Sequence, residues 1–109
     1  GHGEAAVCLF QTLLQNAVRF SSKGSTIEID AAVDSDTHRV VTIVKDHGPG
    51  VPPEHRDRIF EPFFTTATLG LGMGLFVASR IADLQDVGLS LLPREDGGGA
   101  AFRVALPIA

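Results

Sequence analysis

The sequence is poor in the residues and runs that several classes of protein require. It has one cysteine, Cys8, which excludes an intramolecular disulfide and is too few for a cysteine-based metal site. Nine lysines and arginines stand against thirteen aspartates and glutamates, and the net charge of −4 leaves no basic footprint for nucleic acid. No apolar run approaches the roughly 20 residues that cross a bilayer. We therefore expect no nucleic-acid partner and a reducing compartment, with the cytoplasm as the default.

What the chain does contain is the apolar content of one globular domain. Hydrophobic residues make up 44% of it and charged residues 20%. A chain of this length buries roughly 65% of its unfolded surface, which is enough to fold without disulfides or metals. No secretory signal is visible, and residues 1–3 look like a cloning remnant or an arbitrary cut. We expect residues 1–109 to be a single domain, cut from a larger protein whose full length is compatible with a membrane anchor.

The spacing of apolar residues predicts the order helix, two strands, two helices, two strands. The first helix has apolar residues at three- and four-residue steps, and the first strand alternates as if one face were wet. The second strand should pair antiparallel with the first, and the last two should form a hairpin. Helices are predicted at residues 4–20, 52–59 and 75–85, and strands at residues 27–33, 40–44, 89–92 and 101–106. This order suggests helices packed on one face of a largely antiparallel sheet.

Two glycine-punctuated segments are the most informative feature of the chain. They are residues 46–50, Asp-His-Gly-Pro-Gly, and residues 70–75, Gly-Leu-Gly-Met-Gly-Leu, with a phenylalanine-rich segment between them. Such glycines let the backbone approach a ligand closely, and a helix that begins there offers N–H groups to phosphate. Either segment alone is ordinary turn chemistry. Their order predicts a nucleotide pocket, and neither the P-loop nor the dinucleotide-binding motif is present.

Individual polar residues leave two interpretations open when they are considered alone. Asn16 lies in an apolar helical stretch, where it is either a satisfied amide or an oxygen ligand. Asp46 ends a strand, and an ordinary turn-starting aspartate is the alternative to a ligand-binding one. Considered alone, Arg19 is either a solvated charge at a helix end or a cation for a ligand. Phe20 is either a core residue or a ligand contact.

Taken in order, the motifs resemble the catalytic ATP-binding domain of sensor histidine kinases. This domain belongs to the superfamily that also contains type II topoisomerases, mismatch-repair ATPases and certain chaperones. The resemblance covers nearly the whole chain and implies an α+β two-layer sandwich of the Bergerat type, with helices on one face of a mixed, mostly antiparallel sheet. The matching segments are residues 13–21 (N box), 46–50 (first glycine box), 59–66 (F box), 70–75 (second glycine box) and 97–107 (closing strand).

The resemblance implies a set of contacts to the phosphates of Mg-ATP. The amide oxygen of Asn16 would bind a magnesium ion that bridges the phosphates, and Arg19 would face the phosphates as a cation. Phe60, Phe63 and Phe64, which would be core residues by default, would anchor one end of a short mobile lid over the phosphates. The second glycine box would contribute Gly70, Leu71, Gly72, Met73, Gly74 and Leu75.

The resemblance also implies how the base is recognised. The Asp46 carboxylate would accept a hydrogen bond from the adenine amino group and would discriminate against guanine, which presents an acceptor there. Gly48 and Gly50 would let the chain pass close to the base, and Phe20 would lie against it.

The implied function is that of a protein-histidine kinase in a two-component system. The domain would bind Mg-ATP and pass the γ-phosphate to a histidine on a separate dimerisation domain, for relay to an aspartate of a response-regulator receiver domain. None of the four histidines here has the setting of that acceptor, and we expect the isolated domain to be a monomer.

Two departures from the family pattern keep an alternative open. Thr12 stands where the hydrolysing branches carry a glutamate base and where histidine kinases often have asparagine, and its hydroxyl is far too weak a base at neutral pH. Ala67 stands where short-lid kinases commonly have a lysine. The alternative is a degenerate, non-catalytic module that binds adenine nucleotides as conformational ligands.

Overall fold

In the part of the chain that the structure describes, two α-helices and four strands follow the predicted order, and a 3-10 turn stands where a second, short helix was predicted. The computed structural model describes residues 2–21, 23–48, 50–51, 53–61, 74–93 and 99–108. Its elements are α1 (His2–Phe20), β1 (Glu28–Asp34), β2 (Arg39–Lys45), a 3-10 turn (Pro53–His55), α2 (Gly74–Leu84), β3 (Gly88–Leu91) and β4 (Ala101–Pro107). Among these residues, no helix is both long enough and apolar enough to cross a membrane.

The four strands form one sheet in the order β1-β2-β4-β3. All three pairings between these strands are antiparallel. The two predicted neighbours, β1 with β2 and β3 with β4, are confirmed, and β4 lies in the interior of the sheet beside β2. The α+β two-layer fold is therefore confirmed.

The helices cover one face of β2, β4 and β3. A buried stripe on α1 recurs at four-residue steps through Leu9, Leu13 and Ala17, which is the period of a helix packed on a core. This helix packs against α2, β2 and β4, and α2 packs against β3. The buried cluster between the layers consists of Leu9, Leu13, Ala17, Val44, Val51, Ile59, Ala78, Ala82, Val87, Phe102 and Val104.

The strand β1 does not have the buried face that its alternating sequence predicts. Ile29 and Val33 lie on the helix-side face of the sheet, yet they are 56% and 66% exposed. The reason is tertiary, because neither helix contacts β1 within the described part of the chain. Alternation shows which residues share a face of a strand but not whether anything covers that face.

The helix predicted over residues 52–59 is also wrong. Only Pro53–His55 form a 3-10 turn, and the next amides bond three residues back, Arg58 to His55 and Glu61 to Arg58. Tertiary contacts hold this short segment, because Ile59 is buried and the Arg56 guanidinium donates to the Leu92 carbonyl. A segment this short follows such contacts more readily than it forms an isolated α-helix.

The carboxyl end of α2 is closed by a turn at Asp86. Asp86 has a φ of 56°, and the Val87 N–H bonds to the Ala82 carbonyl at 2.8 Å, as in a Schellman motif. The Arg39 guanidinium holds this turn, with Nη1 2.9 Å from both the Asp86 and Ala105 carbonyl oxygens and Nη2 3.2 Å from Asp86 Oδ2. Arg39 therefore ties β2, β4 and the end of α2 together.

We expect Arg39→Ala to lower the free energy of unfolding by about 1–2 kcal/mol, because two carbonyl groups lose a charged donor at a partly exposed site. The Asp86→Asn control removes only the ion pair with an 85% exposed carboxylate, and we expect it to cost less than about 0.5 kcal/mol. Urea unfolding measures both variants, and equal losses would contradict the importance of the carbonyl contacts.

Candidate nucleotide site

The site is built around a buried carboxylate at the carboxyl end of β2. Asp46 follows the last residue of that strand and is 5% exposed. Its Oδ1 accepts hydrogen bonds from the Gly48 N–H at 2.9 Å and the Ala100 N–H at 3.1 Å. Among the described residues no hydrogen bond ends on Oδ2. Asp46 thus starts the turn through Oδ1, and its Oδ2 remains able to accept a hydrogen bond.

Two glycines from distant parts of the chain, Gly50 and Gly99, lie close together beside the Asp46 backbone. Gly50 has a φ of +76°, and a Cβ there would lie 2.8 Å from the Gly99 carbonyl oxygen. Gly99 has a φ of +81°, and a Cβ there would lie 2.1 Å from the Asp46 carbonyl oxygen. Both positions require glycine for conformation and for space. Gly99 was not among the predicted site residues, and its signal in the sequence is the glycine run before β4.

The helix α1 presents the predicted phosphate-side residues on one flank of its buried stripe. Asn16 is half-buried between Leu13 and Ala17, and its side chain makes no hydrogen bond within the described part of the chain. By helical geometry, Thr12 and Arg19 lie on the same flank as Asn16. Thr12 is half-buried and Arg19 is exposed. Phe20 is the last residue of α1.

The helix α2 begins at Gly74, the last glycine of the second glycine box. The first turn of this eleven-residue helix therefore begins inside the box and offers its N–H groups there. Leu75 is half-buried and packs against the core. The remaining predicted residues of this segment and of the lid lie outside the described residues: Phe63, Phe64, Ala67, Gly70, Leu71, Gly72 and Met73.

The first phenylalanine of the F box, Phe60, is half-buried and packs against the core. The rings of Phe60 and Phe102 meet edge to face, with centroids 6.2 Å apart and planes at 77°. Phe102 belongs to β4, two residues after Ala100. This contact connects the F box to β4, the strand that directly follows Ala100, the donor to Asp46.

A hydrogen bond outside the predicted set joins the first glycine box to the edge strand. His47 Nε2 lies 2.7 Å from Glu28 Oε2, with the two side chains 37% and 58% exposed. The histidine carries a charge in this pair only when it is protonated. The contact holds His47, the residue after Asp46, against Glu28, the first residue of β1.

Comparison with known proteins places this arrangement in a family. A family model described as histidine kinase-, DNA gyrase B- and HSP90-like ATPase, HATPase_c, matches residues 2–109. The chain belongs to the HATPase_c family. The family predicted from the sequence motifs is thereby confirmed, and relatives of this HATPase_c domain include sensor histidine kinases.

Three similar proteins illustrate the likeness. The sensor protein kinase PilS of Pseudomonas aeruginosa is 33% identical over 88% of this chain, which spans only 18% of the length of PilS. A mycobacterial sensor histidine kinase, MprB, superimposes with a TM-score of 0.84 at 25% identity, over 98% of this chain and 72% of that one. Full-length ShkA in complex with AMPPNP superimposes with a TM-score of 0.81 at 33% identity, over 96% of this chain and 22% of that one.

Proposed function

We propose that this HATPase_c domain binds Mg-ATP and, in the full-length kinase, donates the γ-phosphate to a histidine on a separate dimerisation domain. The phosphate then passes to an aspartate of a response-regulator receiver domain. One observation carries the proposal: a buried carboxylate keeps one acceptor oxygen without a donor among the described residues. The AMPPNP bound to the similar ShkA chain supports the same class of ligand.

The Asp46 carboxylate suits adenine better than guanine. With Oδ1 committed to Gly48 and Ala100, Oδ2 is the oxygen that accepts a hydrogen bond from the 6-amino group of adenine. Guanine presents its O6 acceptor at the same place, so that a buried negative oxygen would face another acceptor. A site built around one required hydrogen bond rejects ligands that cannot make it.

The phosphates lie, in this proposal, between the Asn16 flank of α1 and the amino end of α2. Asn16 offers an amide oxygen that no hydrogen bond occupies in the described part of the chain, which fits the oxygen ligands that Mg²⁺ prefers. The described residues contain no cluster of three His, Cys, Asp or Glu side chains that could hold a cation. Mg²⁺, when bound, neutralises charge on the phosphates. Arg19 adds a cation on the same flank of α1.

Transfer to a partner domain fits the chain better than hydrolysis does. Thr12 offers no general base for an attacking water, and the position lies on the Asn16 flank. The dimerisation domain then supplies the acceptor, and this domain contributes binding and positioning of the nucleotide. Positioning and charge stabilisation are the main demands of phosphoryl transfer. The isolated domain is a monomer in this proposal.

Two residues favour a second candidate: Thr12, which stands in place of a glutamate base or an asparagine, and Ala67, which stands in place of a lysine. It is an adenine-nucleotide-binding module that has lost transfer and acts as a conformational regulator. Mixing this domain with the dimerisation domain and labelled ATP separates the two candidates. Acid-labile phosphohistidine supports the kinase, and nucleotide binding without any phosphohistidine supports the regulator.

We expect calorimetric titration of the domain to give Kd values from about 1 to tens of micromolar for ADP and AMPPNP, about −8 to −6 kcal/mol. The corresponding guanine nucleotides should show no measurable binding at the same concentrations, because they place an acceptor against Asp46. Binding of neither class to folded protein, or equal binding of both, would contradict adenine recognition by Asp46.

A further inference from the structure

The hydrogen bonding between Asp46 and Ala100 departs from a regular antiparallel ladder. The β2–β4 register pairs Lys45 with Ala101, so the next pair is Asp46 with Ala100. A hydrogen-bonded antiparallel pair exchanges two main-chain bonds. Here the Asp46 N–H donates to the Ala100 carbonyl at 2.9 Å, but the Ala100 N–H donates to the Asp46 side chain. The carboxylate has replaced the main-chain carbonyl as the acceptor of this rung.

Gly99 makes this substitution possible. The Asp46 carbonyl oxygen occupies the place where a Cβ of residue 99 would stand, at 2.1 Å from its ideal position. The positive φ of Gly99 also belongs to a region that side chains with L configuration rarely adopt. Any other residue at position 99 would push the two segments apart and move the Ala100 N–H away from Oδ1.

The two donors on Oδ1 restrain the carboxylate differently. The Gly48 N–H belongs to the turn that Asp46 itself begins, and such a local bond moves together with that turn. The Ala100 N–H comes from the residue directly before β4, which is an interior strand of the sheet. With both bonds in place, rotation of the carboxylate is blocked and Oδ2 has a single direction.

We infer that the Ala100 N–H, placed by Gly99, is a positioning group that aims Asp46 Oδ2 and thereby sets the adenine selectivity of the site. This inference rests on the proposed function, since it assigns a role toward the nucleotide base. The segment just before β4 thus acts on the ligand through Asp46 and does not need to touch the ligand.

The test removes the Ala100 N–H alone. An ester at position 100, made with L-lactic acid in place of alanine, deletes the donor and keeps the methyl group and the chain length. The matched control is an ester at Ile108, whose N–H donates to the His38 carbonyl at 2.9 Å at the opposite end of β4. Each protein is titrated with ADP and with purine riboside 5′-diphosphate, which lacks the 6-amino group.

We expect the unmodified domain to prefer ADP by about 10- to 100-fold, the range for a hydrogen bond to a charged group. The Ala100 ester should reduce this preference by about tenfold, because a carboxylate held only by the N–H of its own turn, Gly48, no longer keeps Oδ2 aimed at the amino group. Affinity for the purine riboside nucleotide should change by less than about threefold in this ester, and the Ile108 ester should keep the full preference.

If the Ala100 N–H had a merely structural role, the ester would weaken the binding of both nucleotides equally and leave the ratio of their affinities unchanged. That result would overturn this inference but not the proposed function. A full preference retained in the Ala100 ester would overturn it in the same way. If the unmodified domain showed no preference for ADP, adenine recognition by Asp46 would fail and the inference would fall with it. Gly99→Ala should reproduce the lower ratio wherever it folds, and an unchanged ratio in folded Gly99→Ala would also count against the inference.

Discussion

Asp46→Asn is expected to weaken ADP binding by at least about 100-fold, or about 2.7 kcal/mol, with little change in the fold. The asparagine oxygen can still accept the Gly48 and Ala100 N–H groups that now end on Oδ1. The amide NH2 then takes the place of Oδ2. A donor would face the adenine amino group, which is also a donor, and the hydrogen bond would be lost.

The same exchange predicts a change in selectivity as well as a loss. The NH2 of asparagine can donate to O6 of guanine, which the carboxylate repels, so the preference for ADP over GDP should narrow sharply or invert. Simple collapse of the pocket would instead lower both affinities. Calorimetry with the two diphosphates therefore reports on the base contact itself.

Asp30→Asn is the matched control for this variant. Asp30 is an exposed residue of β1, so the control makes the same chemical change and the same change in net charge away from Asp46. We expect ADP affinity within about twofold of the original domain, as for a screened surface charge. Unchanged ADP binding in Asp46→Asn would remove the main support for the proposed pocket.

Asn16→Ala is expected to reduce Mg-dependent formation of phosphohistidine by at least about 100-fold when the domain is mixed with its dimerisation domain and ATP. Transfer of a phosphoryl group depends on positioning and on neutralising the phosphate charge, and alanine removes the proposed protein oxygen for Mg²⁺. Nucleotide binding should lose its dependence on magnesium, while binding without magnesium should remain.

Two variants make this experiment specific. Gln15→Ala removes a neighbouring amide from the exposed side of α1 and should leave transfer unchanged. Asn16→Asp keeps an oxygen ligand and should retain dependence on magnesium. Both reactions are measured as acid-labile phosphate on the dimerisation domain over a magnesium titration. Full transfer by Asn16→Ala would show that Mg²⁺ is held without this residue.

The sequence predicted those parts of the molecule whose cause is local. The stripe through Leu9, Leu13 and Ala17 follows from helical periodicity, and the sheet layer follows from β-branched alternation and turn residues. Two local signals, the end of an apolar run and the first glycine after it, were enough to predict that Asp46 directly follows β2. The glycine boxes carried the family assignment because their order along the chain is itself a sequence property.

Predictions failed where a neighbour distant in sequence decides the outcome. The alternation in β1 is present, but both helices lie over the other strands, and Ile29 and Val33 stay exposed. A 3-10 turn replaces the helix predicted from residue 52, because Arg56 donates to the Leu92 carbonyl and Ile59 is buried in the core.

The sequence by itself thus determined the family, the order of elements and the identity of a carboxylate at the end of β2. Only the tertiary structure decided that Asp46 would be held through Oδ1 by Ala100, 54 residues further along the chain, with Gly99 against its carbonyl group. The physical reason is that periodicity and turn chemistry act over a few residues. The pairing of β2 with β4 brings distant backbones within hydrogen-bond distance, and no local pattern encodes which oxygen that pairing leaves free.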